Sequence, residues 1–269
     1  MSEAPVGVFD SGIGGLTVVR AIMRALPAEP IVYVGDTARV PWGPKGPDTV
    51  RRYAVQIADW LVGQGVKAIV IACNTATAHA IDAVRAAVPP TVPVIGVIEP
   101  GARAAVAATR DRHVGVIGTA GTVASGAYER AIGALAPDVA VHARACPLFV
   151  PLVEEGWTDH PATRLVARTY LDGLRDSGVD TLVLGCTHYP LLADVIADVV
   201  GPRVTLVDSG AETAAALARA LDERGLRRDP SAPPPEHRFV ATDAPEAFLR
   251  VGQRFLAGAL RGVEVVHFA

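Results

Sequence analysis

Short runs of β-branched and other apolar residues alternate with longer amphipathic stretches from one end of this chain to the other. The runs are Val6–Phe9, Ile31–Val34, Ala68–Ala72, Pro93–Val97, Val114–Ile117, Thr181–Leu184, Val204–Val207 and Arg238–Ala241, mostly apolar throughout. A strand with apolar side chains on both faces is buried on both, the habit of parallel sheets covered by helices. The stretches between them, such as Thr49–Val62, Ala76–Ala87, Pro161–Asp176 and Ala211–Arg224, read as helices. The alternation predicts an α/β fold with mostly parallel sheets. A length of 269 residues suits one large domain or two of ordinary size. The proline-rich Asp229–Pro235 reads as a solvent loop before a last strand, helix and strand.

Composition closes off several classes of function. Half the residues are hydrophobic and 20% are charged, which excludes intrinsic disorder. With 25 basic and 28 acidic side chains and no long run of either sign, nothing marks a dedicated nucleic-acid binder. The first ten residues hold no signal-like apolar run, and runs such as Ala68–Cys73 are too short to span a membrane. Three cysteines, none in a CxxC, fit free thiols in a reducing cytoplasm. The histidines form no cluster with cysteines or carboxylates at ligand spacing, so no metal site is expected.

An internal repeat points to the chemistry. Val66-Lys-Ala-Ile-Val-Ile-Ala-Cys73-Asn-Thr matches Val179-Asp-Thr-Leu-Val-Leu-Gly-Cys186-Thr-His in pattern, and Val8-Phe-Asp10-Ser-Gly12 echoes Leu206-Val-Asp208-Ser-Gly210. Open α/β sheets bind ligands beyond the carboxyl ends of their strands, where both Cys73 and Cys186 fall. Two such halves facing each other would place two thiols on opposite walls of one cleft.

Each candidate has a plainer alternative. A free cysteine is commonly a small core hydrophobe, and Cys146 is read that way. Cys73 instead opens a helix, whose unpaired N–H groups favour a thiolate or a carboxylate ligand, with Asn74 and Thr75 beside it. Cys186 is given the same setting, with Thr187 and His188 adjacent and Pro190 just inside the next helix. His188 alone would be a structural histidine, but two residues after Cys186 it becomes a proton partner for the thiol. Asp10 is a helix cap before a Gly-rich turn, or an acid at the site. That turn is not GxGxxG, and Gly115, Gly118 and Gly121 around Thr119 and Thr122 give only a weak anion-loop signal. The loop Val40–Pro47 is a rim or a lid, and Glu154-Glu155 a solvated pair at a helix end.

Two thiols on opposite faces of a substrate suit removal of a proton on one side and delivery on the other, which inverts a stereocentre. A pyridoxal-phosphate racemase needs a Schiff-base lysine. Of the only two lysines, Lys45 lies in a Pro/Gly loop and Lys67 at the entry of a strand, away from the expected cleft. A cofactor-free amino-acid racemase is favoured over a thiol hydrolase, a dithiol redox enzyme or a carboxylate-binding protein.

At this point the chain resembles the bacterial glutamate racemases, within the wider aspartate/glutamate racemase family. The segments that carry the resemblance are Gly7–Gly15, Tyr33–Gly43, Ala72-Cys-Asn-Thr75, Gly96-Val-Ile-Glu-Pro100, Gly118–Thr122, Pro151-Leu-Val-Glu-Glu155 and Gly185-Cys-Thr-His-Tyr-Pro190, in family order. The resemblance implies cofactor-independent interconversion of L- and D-glutamate for peptidoglycan, with Cys73 and Cys186 as the two bases. Asp10 would assist Cys73, while His188 and Glu154, or its neighbour Glu155, would assist Cys186. Substrate contacts carry over to Asp10, Ser11, Trp42, Gly43, Asn74, Thr75, Thr119, Thr122, Thr187 and His188. Trp42 stands where the family usually has tyrosine, so a hydroxyl is missing from that rim. The implied fold is two pseudo-symmetric α/β domains, 1–97 with 210–269 and 98–209, with the active site in the cleft between them. A homodimer is implied as well. Some relatives bind DNA gyrase, for which this sequence offers no recognisable surface.

Overall fold

The computed structural model describes residues 2–256, 258 and 260–268, and the chain separates into two compact units, Met1–Val97 with Gly210–Ala269 and Ile98–Ser209. The first begins β1 (Val6–Asp10), α1 (Leu16–Ala25), β2 (Ile31–Gly35), α2 (Pro47–Gly63), β3 (Ala68–Ile71), α3 (Asn74–Ala87) and β4 (Val94–Gly96). The second follows as α4 (Ile98–Ala108), β5 (His113–Gly118), α5 (Ala120–Ala124), α6 (Ala127–Leu135), β6 (Ala140–Ala145), α7 (Phe149–Glu154), α8 (Pro161–Arg175), β7 (Thr181–Gly185), α9 (Ala193–Val200) and β8 (Thr205–Val207). Then α10 (Ser209–Glu223) leads into β9 (Arg238–Ala241), α11 (Pro245–Phe255) and β10 (Glu264–Val265) of the first unit.

Each unit is built on its own parallel sheet. In the first the order is β10-β9-β2-β1-β3-β4, and in the second β6-β5-β7-β8. The apolar runs become β1, β2, β3 and β7, buried at every position, as two-sided coverage demands. In the first unit Phe9, Val34, Ile69 and Ile71 pack against Ile57, Leu61, Ala80 and Val84 of the helices. β9, beside β2, holds the returning chain in register, Tyr33 opposite Phe239 and Gly35 opposite Ala241.

One strand escaped the sequence reading. Ala140–Ala145 forms edge strand β6, and none of its residues is fully buried. His142 and Arg144 interrupt the apolar run because an edge strand faces water. The aspartate echo also needs correction. β1 lies inside its sheet between β2 and β3, whereas β8 is an edge strand paired only with β7. By order in the chain β8 corresponds to β4, so Asp10 and Asp208 do not occupy equivalent positions. The cysteine repeat does mark equivalent strands, since β3 and β7 are each third in their unit.

Candidate active site

In the first unit the candidates gather beyond the carboxyl ends of β1 and β3. Strand β3 ends at Ile71, and Cys73 is the N-cap of α3 in extended conformation, its sulfur accepting the Ala76 N–H at 3.4 Å. The helix starts two residues earlier than read from sequence, so Asn74 and Thr75 form its buried first turn. The thiol donates to Ser11 Oγ at 3.6 Å. Cys73 is thus held by a helix N-terminus on one side and by the turn after β1 on the other.

Asp10 is not a helix cap. Gly15 occupies that position of α1, and the buried Asp10 carboxylate takes the Gly12 N–H at 3.0 Å, closing its own turn. Asp36 lies nearby, its N–H donating to the Asp10 carbonyl at 3.1 Å. Burial raises the Asp36 pKa, although Arg39 at 2.7 Å and the Thr242 hydroxyl at 2.9 Å oppose the shift. Sequence reading passed over Asp36; the Asp-x-x-Arg spacing inside Tyr33–Gly43 was its only trace. Trp42 is 1% exposed, its ring packed against Tyr53. Its indole is a large apolar body better buried than wet. Gly43 beside it is half-buried.

In the second unit the candidates lie beyond β5 and β7. Cys186 is buried, and His188 Nδ1 stands 3.9 Å from its sulfur. The other ring nitrogen, Nε2, meets Glu154 Oε1 at 2.9 Å. Glu154 ends α7 with its side chain 42% exposed, and the neighbouring Glu155 is solvent-facing, so Glu154 is the acid that touches the histidine. Burial alone would lower the His188 pKa, but hydrogen bonds and charge from Cys186 and Glu154 outweigh it and raise the pKa to about 10. The ring therefore carries a proton at neutral pH between a sulfur and a carboxylate.

The setting of Cys186 differs from that of Cys73. A single 3₁₀ turn, Tyr189–Leu192, follows it, and α9 begins only at Ala193. The sulfur caps no α-helix, so the cation beside it is His188 rather than a helix dipole. Thr119 caps α5 by accepting the Thr122 N–H at 3.2 Å, and the two hydroxyls lie 3.0 Å apart. Gly118 pairs with Gly185, which brings this threonine turn beside the Cys186 strand. Thr187 is buried next to the thiol. Cys146 is fully buried, and burial pushes its pKa up to about 12, so it packs as a neutral thiol.

Among the described residues, no group of three or more His, Cys, Asp or Glu side chains could hold a metal ion, and no helix is long and apolar enough to cross a membrane. Residues 6–217 match the profile of the Asp/Glu/Hydantoin racemase family. The chain belongs to that family. A glutamate racemase of Geobacter metallireducens is 55% identical over 96% of this chain and 94% of its own. One of Syntrophus aciditrophicus is 54% identical over 97% and 96%. The crystal structure of glutamate racemase from Francisella tularensis in complex with D-glutamate superposes with a TM-score of 0.92 at 40% identity, covering 99% of this chain and 98% of that one. Like other members of the family, this chain is a racemase, an isomerase that inverts a stereocentre.

Proposed function

We propose that the chain interconverts L- and D-glutamate without a cofactor, using Cys73 and Cys186 as a thiolate–thiol pair on opposite faces of the α-carbon. One thiolate takes the α-proton and leaves a carbanion stabilised by the adjacent carboxylate. The opposite thiol delivers its own proton to the other face, so the sulfurs exchange states with each turnover and no atom is gained or lost. The substrate contacts we assign are Asp10, Ser11, Asn74, Thr75 and the Trp42–Gly43 turn in the first unit, and Thr119, Thr122, Thr187 and His188 in the second. The observation that carries this reading is a differently supported thiol in each unit. Cys73 has a helix N-terminus and Ser11; Cys186 has the His188–Glu154 pair. The glutamate racemases of matching length support the substrate.

Lys67 supports a reaction without pyridoxal phosphate, because its amine is 2.6 Å from Glu29 and buried at the amino end of β3. The D-glutamate would serve peptidoglycan synthesis in the cytoplasm, with the chain acting as a homodimer.

The test uses protein dialysed free of pyridoxal phosphate and L-glutamate in D2O. The α-proton NMR signal and the optical rotation should both be lost. Reaction of L-aspartate alone would overturn the substrate, and no reaction in a folded, reduced sample would overturn the function. Cys73→Ser and Cys186→Ser should each keep the fold and lose turnover, and near-normal racemisation by either would sink the two-thiol mechanism.

A further inference from the structure

The proposed reaction leaves Tyr33 without a role, yet this residue is built into the support of Cys73. It lies on β2 with no exposed surface, and its hydroxyl crosses to the turn after β1 to donate to the Gly12 carbonyl at 2.8 Å. The same oxygen takes the backbone N–H of Gly15. A methyl group on Gly15 would stand 2.6 Å from Asp10 Cβ, 2.8 Å from the Tyr33 oxygen and 3.0 Å from Ala72 Cβ. The phenol, Asp10 and the residue before Cys73 therefore share one packed site. From this turn Ser11 reaches the Cys73 sulfur at 3.6 Å, while Asp10 holds Gly12. Burial, and then the charges of Asp10 and Cys73, keep the phenol pKa well above its ordinary value, so it stays a neutral donor.

We propose that Tyr33 is a positioning residue for Cys73, its hydroxyl clamping the Asp10–Gly15 turn in the geometry that keeps Ser11 at the sulfur. The proposal rests on Cys73 being a proton-transferring thiol. Without the hydroxyl, the buried Gly12 carbonyl and Gly15 N–H lose their shared partner and the turn relaxes away from Cys73.

Tyr33→Phe tests this, with folding checked by circular dichroism. We expect kcat to fall by about 10- to 100-fold with KM changed less than about twofold, the pattern of misplacement rather than lost binding. Alkylation by iodoacetamide, followed thiol by thiol by mass spectrometry across pH, should shift its midpoint at Cys73 and not at Cys186. Wild-type alkylation at both thiols, or equal shifts at both, overturns the proposal. A shift at Cys73 with kcat unchanged overturns the two-thiol reading beneath it, and the proposal with it. If Tyr33→Phe does not fold, 4-fluorophenylalanine at position 33 fills most of the space of the hydroxyl but cannot donate to the Gly12 carbonyl. The same Cys73-only shift is then expected, and its absence is fatal.

Discussion

His188 shows how a single side chain acquires a function from two neighbours. An imidazole buried alone is neutral at pH 7, whereas this one is raised to about 10 against the pull of burial. The sign of the linkage follows. The stability this group contributes is fully present below about pH 6.5, the unfolded value, and is lost as pH rises through about 10. Urea midpoints of the wild type and His188→Asn should therefore converge between those pH values. Glu154→Gln should lower the His188 pKa, read from its ring resonances by NMR, and reduce kcat roughly tenfold or more. Asp180 behaves in the opposite sense. Its carboxylate accepts from Thr109 Oγ1, Arg110 N and Asp111 N at 2.7, 2.5 and 2.7 Å, and these bonds overcome burial to hold its pKa at about 2. Its contribution is present above the unfolded value near 3.9 and disappears as pH falls through about 2, so Asp180→Asn should flatten the acid limb of stability.

At the scale of elements, the sequence was legible wherever burial was two-sided. The continuous apolar runs became β1, β2, β3 and β7 because a sheet covered on both faces favours apolar side chains along most of each strand. Edge strand β6 was not legible, since its exposed face admits His142 and Arg144. Both cysteines could be placed at strand ends from sequence, with a helix opening at Cys73 and His188 beside Cys186, but not the atoms that hold each sulfur. Capping by Cys73 depends on where α3 begins, and the histidine–glutamate contact joins residues 34 positions apart. The burial of Trp42 is hidden for a related reason: proline and glycine on either side mark a loop, and a loop can still turn a large ring inward. Glycines offer a direct check at this scale. Gly15→Ala, with contacts below 3 Å to Asp10 and Tyr33, should cost about 1–3 kcal/mol by urea denaturation. Gly133→Ala on α6 meets nothing within 4 Å and should instead add about 0.5–1 kcal/mol with activity unchanged.

For the molecule as a whole, the amino end of the first sheet is closed by a buried ion pair, at the opposite end of β3 from Cys73. Lys67 Nζ and Glu29 Oε2 are 2.6 Å apart with side chains 2% exposed, Lys67 also donates to the Ser2 carbonyl, and Glu29 takes the Arg228 N–H at 2.9 Å. Lys67→Met strands a buried carboxylate and should cost about 3–5 kcal/mol, measured by denaturation, while Lys67→Met with Glu29→Leu should recover much of that loss. The chain path has its own consequence. Residues 98–209 form the second unit from one continuous stretch, but the first unit lacks β9 until residues 238–241 have been made. A chain leaving the ribosome can complete its middle before its beginning, and until then β2 presents an unpaired edge that invites strands from other molecules. Aggregation during synthesis is thus governed by the last thirty or so residues, which lie furthest along the chain from the chemistry.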